Sequence, residues 1–116
     1  MLQYKRGDHL YVNHKFYNHH GIYVGNNKVI HYLSKGISLT DMDTFSKGYP
    51  VKIKQHIFKK DKDEIVSRAY SRLGENRYNL IFNNCEHFAT WCCTGVSISM
   101  QVVTTVIQII IFKGGI

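Results

Sequence analysis

The chain has 116 residues, of which 44% are hydrophobic and 20% charged, with a single proline; this describes one ordered domain and excludes an intrinsically disordered chain. Fifteen Lys and Arg against eight Asp and Glu give a formal charge of +7, suited to an anionic membrane surface or simply to solubility. No arginine run interleaved with aromatics, no zinc-finger spacing and no helix-turn-helix pattern accompanies that charge, which argues against a nucleic-acid partner.

The first residues, "MLQYKRGDHLYV", lack the apolar stretch and small-residue cleavage site of a signal peptide, so the expected compartment is the reducing cytoplasm. From Asp8 to Ile57 the chain reads as short strands. "HLYV", "HHGIYVG", "KVIHYL", "GISLT" and "VKIKQHI" are rich in β-branched and aromatic residues, and the last alternates apolar with basic side chains. "GNNK" at 25–28 supplies a tight hairpin.

Hairpin parity decides which histidines share a face. With a two-residue loop, Asn26 and Asn27, His31 faces the same way as His20. With a three-residue loop, Gly25 to Asn27, His31 lies opposite Gly21 and diagonal to His19, and His19, Gly21, Tyr23, Val29 and His31 line one face. Local residues leave both open. His9, His14 and His56 sit among polar and basic residues and read as surface histidines.

After Lys60 the period changes to that of a helix, with Ile65, Val66, Ala69, Tyr70 and Leu73 on one face, acidic residues in the first turn and Gly74 as the stop. A second helix is predicted over 85–93, with Asn84 as N-cap and Gly95 just past its end. Its first residue is Cys85. A helix N-terminus stabilises a thiolate, so Cys85 is a candidate nucleophile, whereas Cys92 and Cys93 at the other end read as structural. His87 lies about 200° around the helix from Cys85 and reads as structural. Three cysteines, two of them adjacent, do not suggest a disulfide framework. The segment 101–116 is apolar but interrupted, and is expected to be a packed element, a membrane-docking segment or a truncated anchor.

"HHGIYVGNNKVIH", followed about fifty residues later by "NNCEHFATWC", resembles the lecithin:retinol acyltransferase family, over roughly Gly7 to Ser99. The resemblance implies an α+β, permuted papain-like fold in which an antiparallel sheet packs against a helix carrying the catalytic cysteine at its N-terminus, in one domain over residues 1–100. It also implies Cys85 as nucleophile, His19 as general base and acid, and His31 as the orienting, polarising histidine. That choice agrees with the three-residue hairpin. The backbone N–H of Cys85 is the best oxyanion donor, with Tyr23 and Asn84 as further oxyanion or site-lining candidates; Glu86 reads as a capping or salt-bridging group.

The family chemistry so implied is phospholipase A or acyltransferase action through an acyl-thioester on Cys85, with a glycerophospholipid as donor, at a membrane surface and with no cofactor or metal. The sequence shows no long, strongly apolar carboxyl-terminal span of the kind that anchors several animal members, which weakens a specific expectation of retinol acylation. An amide-cleaving peptidase of the same permuted fold and a non-catalytic binding module are the alternatives.

Overall fold

A computed structural model of the chain describes residues 4–80, 83–97 and 110. The predicted 101–116 segment therefore lies outside the described residues, apart from Ile110. The strands β1 (His9–Asn13), β2 (Asn18–Gly25), β3 (Lys28–Leu33) and β4 (Gly36–Asp41) are followed by helix α1 (Met42–Ser46), β5 (Val51–Lys54), α2 (Lys62–Ser71) and α3 (Cys85–Thr94). The strands form one antiparallel sheet in the order β4-β3-β2-β1-β5. This α+β arrangement, with α3 packed on the sheet, is consistent with the expected papain-like fold.

Each face of the sheet buries one apolar layer, as period-two strands require. Ile22, Val24, Ile30 and Tyr32 pack with Ile65, Val66 and Ala69 of α2 and Phe88, Ala89 and Cys92 of α3. Leu10, Val12, Tyr23 and Val29 pack with Phe45 of α1 on the other face. The α1 turn interrupts the run of strands expected from Asp8 to Ile57. Asp41 caps it by accepting from the Thr44 amide, and Lys47 closes it in the left-handed conformation. The predicted strand "VKIKQHI" pairs only as far as Lys54. In α2, Ile65, Val66 and Ala69 are buried, whereas Tyr70 and Leu73 are exposed.

The β2–β3 hairpin resolves the parity question by using both registers. Asn26 and Asn27, both at positive φ, form a two-residue turn beneath the Gly25–Lys28 pair. An irregularity between Tyr23 and Gly25 then shifts the register, so that Tyr23 faces Val29 and Gly21 faces His31. β2 and β3 pair no further than Gly21 and His31, although β1 stays paired to β2 as far as Asn18. The β3-facing edge of residues 18–20 is thus left without a strand partner.

Gly21 has no room for a side chain. A Cβ there would lie 2.7 Å from Val29 Cγ1, 2.9 Å from Phe45 Cε1 and 3.1 Å from His31 Cβ. Gly21→Ala is therefore expected to destabilise the domain by about 1–3 kcal/mol through overpacking, read as a lower midpoint in chemical denaturation.

Candidate active site

Helix α3 begins where its sequence demands. The Asn84 side chain accepts from the His87 amide at 2.9 Å, and His87 Nδ1 accepts from the Asn84 amide at 3.2 Å, a reciprocal cap that turns the His87 ring back on the helix start. Gly95 terminates the helix at positive φ. Cys85 is the first helical residue, and its side chain is buried, with the whole residue 7% exposed.

The sulfur lies against the unpaired edge of β2. Its Sγ is 3.9 Å from the Asn18 carbonyl oxygen, and the backbone N–H groups of His20, Glu86 and Cys85 itself favour its thiolate. Burial outweighs them and pushes the thiol up. The helix terminus supplies the donors expected of it, yet removal from water costs the anion more than they return.

Alternation along β2 sends His19 and His20 to opposite faces, one on either side of the strand edge where the sulfur sits. Both line, with Cys85, a cavity of about 1090 Å³ that also contacts Tyr17, Asn18, Tyr78 and Asn84. On one face, His19 Nε2 and His31 Nδ1 are 2.7 Å apart, and His31 Nε2 is 2.8 Å from Thr40 Oγ1. The Thr40 hydroxyl donates to the Asp41 carbonyl at 3.1 Å, so it accepts from His31 Nε2–H. His31 Nδ1 must then accept from His19 Nε2–H, which leaves the lone pair on His19 Nδ1 bare. The Phe45 and His31 rings meet at right angles, and the Phe45 ring also lies beside His19. Burial, then the charge of His31, lowers His19 to about 3. Burial, then Lys47 and Lys35, lowers His31 to about 4.

On the other face, His20 Nδ1 lies 2.8 Å from His9 Nε2, and His9 Nδ1 lies 2.8 Å from His56 Nε2. His9 is 2% exposed, which corrects its reading as a surface residue: β1 is interior to the sheet, and α3 covers its face. Burial is also the main cause that lowers His20, to about 4, against the opposing pull of Glu86.

Two further residues depart from expectation. Tyr23 does not reach the cavity; its ring packs beside Tyr4 in the α1-side core, and its hydroxyl accepts from the Asn27 amide at 3.1 Å. Tyr78 does reach it, and no local pattern marks it. The Asn79–Asn83 bridge folds the chain back so that the Tyr78 phenol meets Cys85. Burial, then the sulfur's charge, pushes that phenol up, which keeps it a donor. Arg72 and Asn83 hold the Glu75 carboxylate at 2.6–3.1 Å, and the Tyr32 hydroxyl accepts from the Arg77 amide at 2.7 Å, so the segment carrying Tyr78 is braced from both sides. Glu86 pairs with Lys54 at 2.9 Å, as a salt-bridging group should.

A buried thiol at a helix start thus lines one cavity with imidazoles carried by a separate sheet, the residue types on which nucleophilic acyl chemistry draws. The sequence model for the family described as Lecithin retinol acyltransferase matches residues 2–98, and the chain belongs to that family. Lecithin retinol acyltransferase of Bos taurus is 30% identical to it over 83% of this chain and 57% of the relative. Those of Rattus norvegicus, at 28% over 83% and 57%, and Homo sapiens, at 29% over 84% and 58%, are similar. The chain thus spans somewhat more than half the length of these relatives.

The buried imidazoles set the acid stability. His9, His20 and His31 stay neutral in the fold while their unfolded counterparts protonate below about pH 6.5. Unfolding then takes up protons, so stability, level above that pH, is lost as pH falls toward about 4, by about 1.4 kcal/mol per unit for each such histidine. Denaturant midpoints measured across that window should fall steeply, and the fall should be shallower in His31→Gln.

Proposed function

We propose that the chain transfers acyl groups from glycerophospholipid by way of a thioester on Cys85, with water or an acceptor hydroxyl completing turnover. The observation that carries this reading is the Cys85 sulfur against the backbone of β2, beside a histidine whose Nδ1 lone pair is left bare by the His31–Thr40 chain. The family membership and the lipid named in its relatives' names support the choice of substrate class.

The resting pair is neutral. His19 therefore removes the thiol proton as sulfur attacks the ester carbonyl, and its imidazolium is supported through Nε2–H by His31. The Cys85 backbone N–H and the Tyr78 hydroxyl are the donors for the tetrahedral oxyanion. Collapse breaks the ester C–O bond, His19 returns its proton to the leaving lysophospholipid oxygen, and the acyl group remains on sulfur. In the second half the incoming hydroxyl gives its proton to His19, attacks the thioester, and releases Cys85, which recovers that proton.

The cavity mouth suits an aggregated substrate. Phe16 and Leu80, 87% and 74% exposed, line it together with Lys15. Apolar side chains beside ammonium groups enter the headgroup region of an anionic bilayer. Among the described residues no helix is long and apolar enough to cross a membrane.

Incubation with phosphatidylcholine vesicles followed by acid quench should leave one acyl mass on the intact protein, and Cys85→Ala should abolish both it and lysolipid release. His19→Ala should slow acylation by about 10²–10⁴-fold and His20→Ala by less than about tenfold; the reverse order would overturn the assignment of the base. Phe16→Ser with Lys15→Glu should weaken sedimentation with phosphatidylserine vesicles, and should lower hydrolysis of vesicle lipid far more than that of a soluble short-chain ester.

A further inference from the structure

The second histidine row does not take part in that chemistry, and it ends beside a thiol. His9 Nδ1, His56 Nε2 and Cys93 Sγ all lie within 4.8 Å of one another. They come from three separate elements: the start of β1, the segment after β5, and the last turn of α3. The Lys60 amide donates to the Cys93 carbonyl at 2.7 Å, which ties the segment carrying His56 to the end of α3. His9 and Cys93 are buried at 2% and 1% exposure, whereas His56 is only partly buried and borders solvent.

We propose that His9 Nδ1, His56 Nε2 and the Cys93 sulfur bind a zinc ion, with water in the fourth position. Two imidazole nitrogens and a thiolate are the donor set of a borderline-soft divalent metal with tetrahedral preference. The two ring nitrogens now stand 2.8 Å apart, sharing a hydrogen. Tetrahedral bonds of about 2.0 Å to nitrogen and 2.3 Å to sulfur need the nitrogens about half an ångström farther apart and the sulfur drawn in toward them. The metal takes the place of the shared hydrogen, which moves to the far nitrogen of the ring that carried it, so both imidazoles stay neutral. Cys93 loses its thiol proton to solvent as the sulfur–metal bond forms.

Such an ion pins β1, the 55–60 segment and α3 together. It also acts on the cavity. With Nδ1 on the metal, His9 carries its proton on Nε2 and donates it to His20 Nδ1. His20 then holds its own proton on Nε2 and has no lone pair to offer. The ion thereby reserves base chemistry at Cys85 for His19, although zinc binding itself does not depend on the acyl-transfer reading.

The test is cobalt(II) titration of the Cys85→Ala protein, in which the thiol at the cavity is removed. A thiolate-to-cobalt charge-transfer band with the visible bands of tetrahedral cobalt is expected, retained with Cys92→Ser added and lost with Cys93→Ser or His56→Gln added. Zinc should bleach the cobalt spectrum and raise the Tm of the unsubstituted chain by several degrees but leave that of His56→Gln unmoved. Because His56 borders solvent, its variant folds even if Cys93→Ser does not, which circular dichroism checks. Absence of the charge-transfer band, or a band that survives His56→Gln, would overturn the proposal.

Discussion

The Cys85 sulfur reaches the backbone of β2 because β3 stops pairing with that strand at Gly21. A paired strand would fill the edge at residues 18–20 with its own amides and carbonyls, and the start of α3 would have no way in. The bulge near Gly25 and the bare Gly21 both serve this arrangement. The bulge brings His31 onto the same face as His19, and the missing side chain leaves the space in which His31, Val29 and Phe45 close up. One local irregularity in the ladder therefore organises both the packing of the α1-side core and the geometry beside the thiol.

The site is held by neutral groups. Burial raises the Cys85 thiol and lowers both histidines on the His19 side, so a standing thiolate–imidazolium pair is disfavoured in the absence of substrate. In the proposed mechanism the thiol proton stays on sulfur until an attacked carbonyl supplies a place for the developing charge, and the hydrogen-bonded row through His31 and Thr40 orients the imidazole for that moment. The same row costs acid stability, because each buried ring must stay unprotonated while unfolded chains take up protons. Loss of stability at low pH and a neutral thiol–imidazole pair at neutral pH are two consequences of one desolvated cluster.

On the other face of β2, His20, His9 and His56 form a second row of equal length, and it has no part in the proposed acyl-transfer steps. Two networks back to back on one strand tie the strand edge to its neighbours from both faces. Charge is matched locally: Lys54 is spent on Glu86, and Arg72 on Glu75, so the excess positive charge left facing the cavity mouth comes from residues such as Lys15 rather than from the walls.

Much of the local order can be read from residue pattern alone. Alternation marks the strands, Asn84 and Gly95 bracket α3, and Cys85 necessarily falls on its first turn, because capping is a nearest-neighbour property. The resemblance carried by "HHGIYVGNNKVIH" and "NNCEHFATWC" likewise picks out His19, His31 and Cys85 without coordinates. The choice between hairpin registers needed the fold, since a bulge trades one ladder bond for packing against Phe45, a residue fourteen positions beyond His31. So did the burial of His9, the approach of Tyr78 and the upward shift of the Cys85 thiol. Desolvation depends on which distant elements cover a group, and no window of neighbouring residues contains that information.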